Sequence, residues 1–111
     1  MNSKSASIFE RIEEVSREHA EAESQRQYLA EFRKSKKALL MGEAEIESPG
    51  ITIAKQERYA YSHPEYLELL EGLKVATEKA IWLRHQLNTY NQRFEQWRSK
   101  QATTRAEMQL R

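Results

Sequence analysis

The chain has 111 residues, 39% of them hydrophobic and 32% charged, with a mean hydropathy of −0.88. That balance is too lean for the apolar core of an ordinary compact domain and suits helices whose apolar residues form a narrow seam. The formal charge of only +1 argues against a general polyanion binder, and the absence of cysteine excludes disulfides and thiolate metal sites.

Met1–Ala6 has no apolar signal core, and no stretch approaches the roughly 18 apolar residues of a membrane helix. The expectation is a soluble, cytoplasmic protein. Its two Trp, five Tyr and three Phe recur at helical spacing, which argues against disorder.

Ser7-Ile8-Phe9-Glu10 has the form of a capping box, with the Ser hydroxyl and the Glu carboxylate each satisfying a backbone N–H. No Gly or Pro follows until Gly42, so the first helix is predicted over 7–42. Its apolar residues, Ile8, Ile12, Val15, Ala22, Leu29, Phe32, Leu39 and Leu40, sketch an imperfect seam. Residues 43–52 read as a loop around Ser48-Pro49-Gly50, where Pro fixes φ and Gly permits the positive φ of a turn. Thr52 is placed to cap a short helix over 53–61.

Ser62-His63-Pro64-Glu65 opens the third helix, with Pro in the first turn and Ser62/Glu65 again in capping-box spacing. This helix is predicted over 64–108, with Gly72 its one weak point. Steps of three and four pass through Tyr66, Leu69, Leu73, Ala76, Ala80, Leu83, Leu87, Tyr90, Phe94, Trp97, Gln101, Thr104 and Met108. Eleven of these thirteen are apolar or aromatic, the signature of a heptad seam.

Charge sets the pairing. Residues 10–23 sum to −4 and 26–37 to +4, whereas 65–79 sum to −2 and 84–111 to +4. Only an antiparallel arrangement puts opposite signs side by side. The expected fold is therefore all-α: a single domain over 1–111 built as a long antiparallel coiled-coil-like hairpin with a short connecting helix. Two helices leave outer faces uncovered. Leu67, Leu70, Val75, Ile81 and Trp82 lie off the seam, and they are the candidate interface of a homodimer in a four-helix arrangement.

No catalytic chemistry is legible. None of His19, His63 and His85 belongs to a Glu-x-x-His motif, since Ser16, Ala60 and Trp82 stand three residues before them. Gly42, Gly50 and Gly72 are too scattered for a phosphate cradle, and no nucleophile accompanies the many Glu. The expectation is a non-enzyme with no catalytic residue, metal or cofactor.

Two segments have the composition of nucleic-acid contacts. In the segment 84–111, basic residues interleave with Tyr90, Phe94 and Trp97, but these aromatics occupy seam positions and are read as core. The other cluster is Arg33, Lys34, Lys36 and Lys37, concentrated within five residues and in excess of the nearby acids. These four are the candidate contacts for nucleic acid or a protein partner, set against the plainer reading of a solvated face.

The run Glu57-Arg58-Tyr59-Ala60-Tyr61-Ser62-His63-Pro64-Glu65-Tyr66, followed by Leu69-Leu70-Glu71-Gly72-Leu73, resembles small helical proteins of tailed phages and prophages, often encoded near recombination genes. Trp97-Arg98-Ser99 and Arg105-Ala106-Glu107 fit the same pattern, so the likeness covers about residues 55–107. It carries no assigned chemistry. It implies a phage-encoded accessory factor in the host cytoplasm, acting in DNA recombination or replication beside a phage recombination protein, with weak single-stranded DNA contact. The alternatives are an antagonist that clamps a host defence or nuclease protein, and a structural coiled-coil scaffold.

Overall fold

In a computed structural model the described residues are 3–110, with side chains from Ser7 to Leu110. Of the Met1–Ala6 reading, Met1 and Asn2 lie outside them, as does the charge of Arg111. Three helices take up nearly all of this span: α1 (Ser3–Glu47), α2 (Ile53–Ser62) and α3 (Pro64–Leu110). The fold is all-α, a helical hairpin of α1 and α3 joined through α2.

α1 begins before Ser7, so the Ser7/Glu10 capping box lies inside the helix and does not start it. Nor does Gly42 end it. A lone glycine costs a helix only about 1 kcal/mol, and here the turn beyond it is anchored on both sides. Ala44 is buried, the Tyr59 hydroxyl donates to Glu43 (3.4 Å), and Glu45 holds the turn that follows. One Glu45 oxygen accepts from the Gly50 N–H (3.2 Å) and the other from Gln56 Nε2 (2.8 Å). The chain reverses at Gly50, whose φ of +85° is one that L side chains rarely adopt.

Thr52 caps α2 as its position suggests, its hydroxyl accepting from the Lys55 N–H at 3.2 Å. The start of α3 differs from the capping-box expectation. The Ser62 hydroxyl turns back to donate to the Arg58 carbonyl (2.7 Å), and His63 Nδ1 accepts the Glu65 N–H instead (3.1 Å). The imidazole thus occupies the capping role that the sequence gives to Ser62.

Contacts gather into two compact units. Among the described residues, one comprises 3–21 and 81–110. Here α1 and α3 run antiparallel: Phe9 meets Phe94 (centroids 4.6 Å apart) and Arg11 meets Tyr90. Val15 and Leu83 are its buried residues, with Ile8, Ile12, Leu87, Tyr90, Phe94 and Trp97 half-buried. The α3 seam is therefore as the heptads indicate as far as Trp97. Gln101, Thr104 and Met108, though in register, are exposed. His19 sits in the α1 seam of this unit with its Nε2 buried and without a hydrogen-bond partner.

The other unit comprises residues 22–80. Its core is Leu40, Ala60 and Tyr66, with Met41, Tyr59 and Leu70 packed around them. Ala22, Ala44, Ala76 and Ala80 are also buried, so much of this seam is filled by small side chains.

The α1 seam departs from the expected one. Steps of four and three from Val15 pass through His19, Ala22, Arg26, Leu29, Arg33, Lys36 and Leu40, all buried or half-buried. Phe32 and Leu39, counted as seam residues from the sequence, are 38% and 62% exposed. The polar side chains at true seam positions hide that register from a hydrophobicity pattern.

A basic and aromatic pocket as candidate site

The four-residue cation cluster lies on α1 within the 22–80 unit, and the helix divides it. Arg33, Lys34 and Lys37 line one pocket of about 320 Å³ together with Tyr61 of α2 and Tyr66 of α3. Lys36 faces elsewhere. Its Nζ lies 2.7 Å from Glu65 Oε2, and it lines a separate open groove of about 380 Å³ with Leu29, Phe32, Glu68, Leu69 and Gly72. The Lys36 ammonium, first as hydrogen-bond donor and then as a nearby charge, holds Glu65 below the usual carboxylate range, with His63 adding to the effect. Lys36 is thus engaged by the fold.

The pocket is lined by three cations and two phenols, with no carboxylate in its wall. Its members differ in how free they are. Lys34 lies 3.2 Å from Glu31 one turn back, but both side chains are well exposed, and such pairs contribute little. Lys37 is held by Tyr61, its Nζ 4.8 Å from the ring centroid and 3.7 Å from Glu57 Oε1. Its interaction with Tyr61 raises the Lys37 pKa above the ordinary lysine value, against a smaller opposing effect of burial, so the group keeps its charge. Arg33 is half-buried at a seam position and, among the described residues, has no carboxylate at ion-pair distance.

The aromatic wall is stepped. Tyr66 is a core residue, 6% exposed, and its ring meets Tyr61 edge-on at 5.4 Å and 66°. Tyr61 is 44% exposed. Cations fixed beside an accessible aromatic face are what a phosphate followed by an unstacked base requires. The sequence places Tyr66 in the seam and Tyr61 in the short second helix; neither is paired with the cations there. Tyr61 is 24 residues beyond Lys37, and only the turn clamped by Glu45 brings the two together.

The second basic segment does not form a comparable site. Its aromatics are committed to α1: Phe94 packs on Phe9 and stacks with Trp97 (5.9 Å), and the Tyr90 hydroxyl accepts from Arg11 Nε (3.3 Å). The guanidiniums of Arg11 and Arg93 lie 5.8 and 5.6 Å from the Tyr90 centroid. Hydrogen bonding to Tyr90 and then to Glu14 raises the Arg11 pKa further. The ion pairs of this unit among the described residues, Arg11–Glu14, Arg17–Glu13 and Arg98–Glu95, lie within single helices.

Of the five candidate interface residues, Leu67, Val75, Ile81 and Trp82 are more than half exposed. Leu70 instead packs against the Leu40–Ala60–Tyr66 core of its own chain. Leu67 and Val75 belong to one unit, Ile81 and Trp82 to the other. Of the apolar and aromatic residues of α2, Ile53 is exposed, Tyr59 packs against the core, and Tyr61 walls the pocket.

Among the described residues, no group of three or more His, Asp or Glu is placed to hold a metal ion, and no helix is long and apolar enough to cross a membrane. The chain matches no protein-family model, no curated protein and no solved structure.

Proposed function

We propose that the protein is a non-enzymatic accessory factor that binds single-stranded nucleic acid, in the phage recombination or replication setting implied by the resemblance of residues 55–107. The observation that carries this reading is the convergence of Arg33, Lys34 and Lys37 with Tyr61 and Tyr66 on one acid-free pocket. Cations supply the salt-dependent, sequence-independent part of such binding, and an accessible ring supplies a stacking surface for any base. A titration of a fluorescently labelled oligothymidine by anisotropy, repeated at several salt concentrations, tests it. Expected is binding that weakens steeply with salt; no binding at low salt refutes the reading.

A second reading rests on the outward-facing Leu67, Val75, Ile81 and Trp82. Exposed large apolar side chains mark protein contacts, either in a homodimer or with a host protein that the chain antagonises. Sedimentation equilibrium decides the dimer. A mass above 13.1 kDa that falls on replacing Ile81 and Trp82 with Ser supports it, and a wild-type monomer rules it out.

A further inference from the structure

We infer that the pocket holds a single nucleotide of an unpaired strand, its phosphodiester between Arg33, Lys34 and Lys37 and its base on the exposed face of Tyr61. This rests on the nucleic-acid reading and deepens it by assigning a role to each side chain.

The phosphate end follows from charge. The wall contains three cations and no carboxylate, and Arg33 has no ion-pair partner among the described residues. Half-buried on a helix, a guanidinium loses little further freedom on binding, and its planar fork suits two phosphate oxygens. Lys37 is held in position by the Tyr61 ring, and Lys34 has only a solvated partner to give up.

The base end follows from the ring. Tyr61 keeps 44% of its surface exposed while the edge contact with the buried Tyr66 fixes its tilt. A stacking platform needs both access and rigidity. The adjacent ammonium of Lys37 adds positive charge where the base meets the phosphate.

Size and geometry then select the strand state. A volume of about 320 Å³ lies at the lower end of the roughly 300–1,000 Å³ range of ligand pockets. It admits one nucleotide and excludes a base pair. In a duplex both faces of each base are already stacked, so Tyr61 has nothing to accept. Lys36, held by Glu65 at 2.7 Å, takes no part.

The test uses the full chain and four probes: labelled oligothymidine, labelled oligouridine, a duplex of the same length, and inorganic phosphate as competitor. Wild-type protein is expected to prefer the single strands over the duplex by roughly 5- to 150-fold, the range of one stacked base. Oligothymidine against oligouridine tells whether DNA or RNA is the better source of that nucleotide. Arg33→Gln is expected to reduce the slope of log affinity against log salt by about 0.7, one phosphate contact on a single strand. Tyr61→Leu is expected to lose roughly 5- to 150-fold in affinity at unchanged slope, and Tyr61→Phe to bind as wild type. Competition by millimolar phosphate supports the anion end. If the wild type binds no oligonucleotide, the proposed function falls and the pocket assignment with it. Equal binding of duplex and single strand, or wild-type slope in Arg33→Gln, overturns the assignment alone. The duplex comparison uses unaltered protein and stands even if Tyr61→Leu fails to fold.

Discussion

Leu39 and Leu40 offer a sharp test of the α1 register. They are adjacent, chemically identical and indistinguishable by propensity, so replacing either with Ala has the same intrinsic effect on the helix. Leu40 is 0% exposed and belongs to the core with Ala60 and Tyr66, whereas Leu39 is 62% exposed. Truncating a fully buried leucine costs about 2–5 kcal/mol, part transfer and part cavity. A surface truncation stays within about 0.5 kcal/mol. With a urea m-value of about 1–3 kcal/mol/M, Leu40→Ala is expected to lower the unfolding midpoint by roughly 1 M or more, read by far-UV circular dichroism. Leu39→Ala is expected to leave it nearly in place. Equal shifts, or a larger one for Leu39→Ala, refute the seam through Leu29, Arg33, Lys36 and Leu40.

His63→Ala removes the acceptor for the Glu65 N–H and is expected to cost about 0.5–2 kcal/mol in thermal unfolding, with His63→Asn recovering most of it. Should His63→Ala melt like the wild type, Ser62 is the effective cap. Gly42 lies inside α1, and a Cβ there meets nothing within 4 Å. Gly42→Ala is therefore expected to stabilise by about 1 kcal/mol; a loss of stability would place a helix break at that residue. The Lys36–Glu65 pair has a defined pH sign. Glu65 titrates lower in the folded chain, so its contribution is present above the ordinary carboxylate range and is lost as pH falls through the depressed value. In Lys36→Met the Glu65 carboxyl, followed by NMR, is expected to titrate nearer its ordinary range, and an unmoved midpoint would show that Lys36 is not the cause.

The seam of α3 was legible from Tyr66 to Trp97 because nearly every inward position is apolar or aromatic. That of α1 was not, for a physical reason. His19, Arg26, Arg33 and Lys36 occupy inward positions; Arg26 and Lys36 reach past the seam to Glu23 and Glu65, while His19 keeps its Nε2 buried without a hydrogen-bond partner. Hydrophobicity then favours Phe32 and Leu39, which are 38% and 62% exposed. Of the charge matching that predicted antiparallel pairing, Lys36–Glu65 is present between α1 and α3 in the 22–80 unit, whereas the ion pairs of the other unit among the described residues lie within single helices. The end of α1 was obscured because its last turn depends on hydrogen bonds from Tyr59, Gln56 and the Gly50 amide, groups later in the sequence. Of the candidate site, the cations were visible as a run. Their separation into Lys36 and the rest, and their aromatic neighbours, depend on helix rotation and on how the Gly50 turn returns the chain.

That separation bears on where function can reside on a helix whose inward face is itself charged. A cation already matched by a carboxylate adds little attraction for an outside anion, because binding must first weaken an existing pair. Lys36 is in that position through Glu65, and Arg26 is through Glu23 one turn away. A fully solvated cation retains its charge but must be ordered on binding, at up to about 2 kcal/mol of side-chain entropy; Lys34 is the nearest example. Arg33 avoids both costs, and Lys37 avoids the second. The half-buried helix face carries Arg33 without supplying a carboxylate, and the Tyr61 ring holds Lys37, whose Nζ also lies 3.7 Å from Glu57 Oε1. Placing arginine and lysine at or beside the seam, where aliphatic residues would give a tighter hairpin, costs packing. In exchange it leaves Arg33 without a carboxylate partner among the described residues, in a pocket walled by a ring that is 44% exposed. The positions where α1 departs most from an ideal coiled-coil pattern are thus the ones that build the pocket, which accords with the expectation that local violations of folding rules concentrate at functional sites.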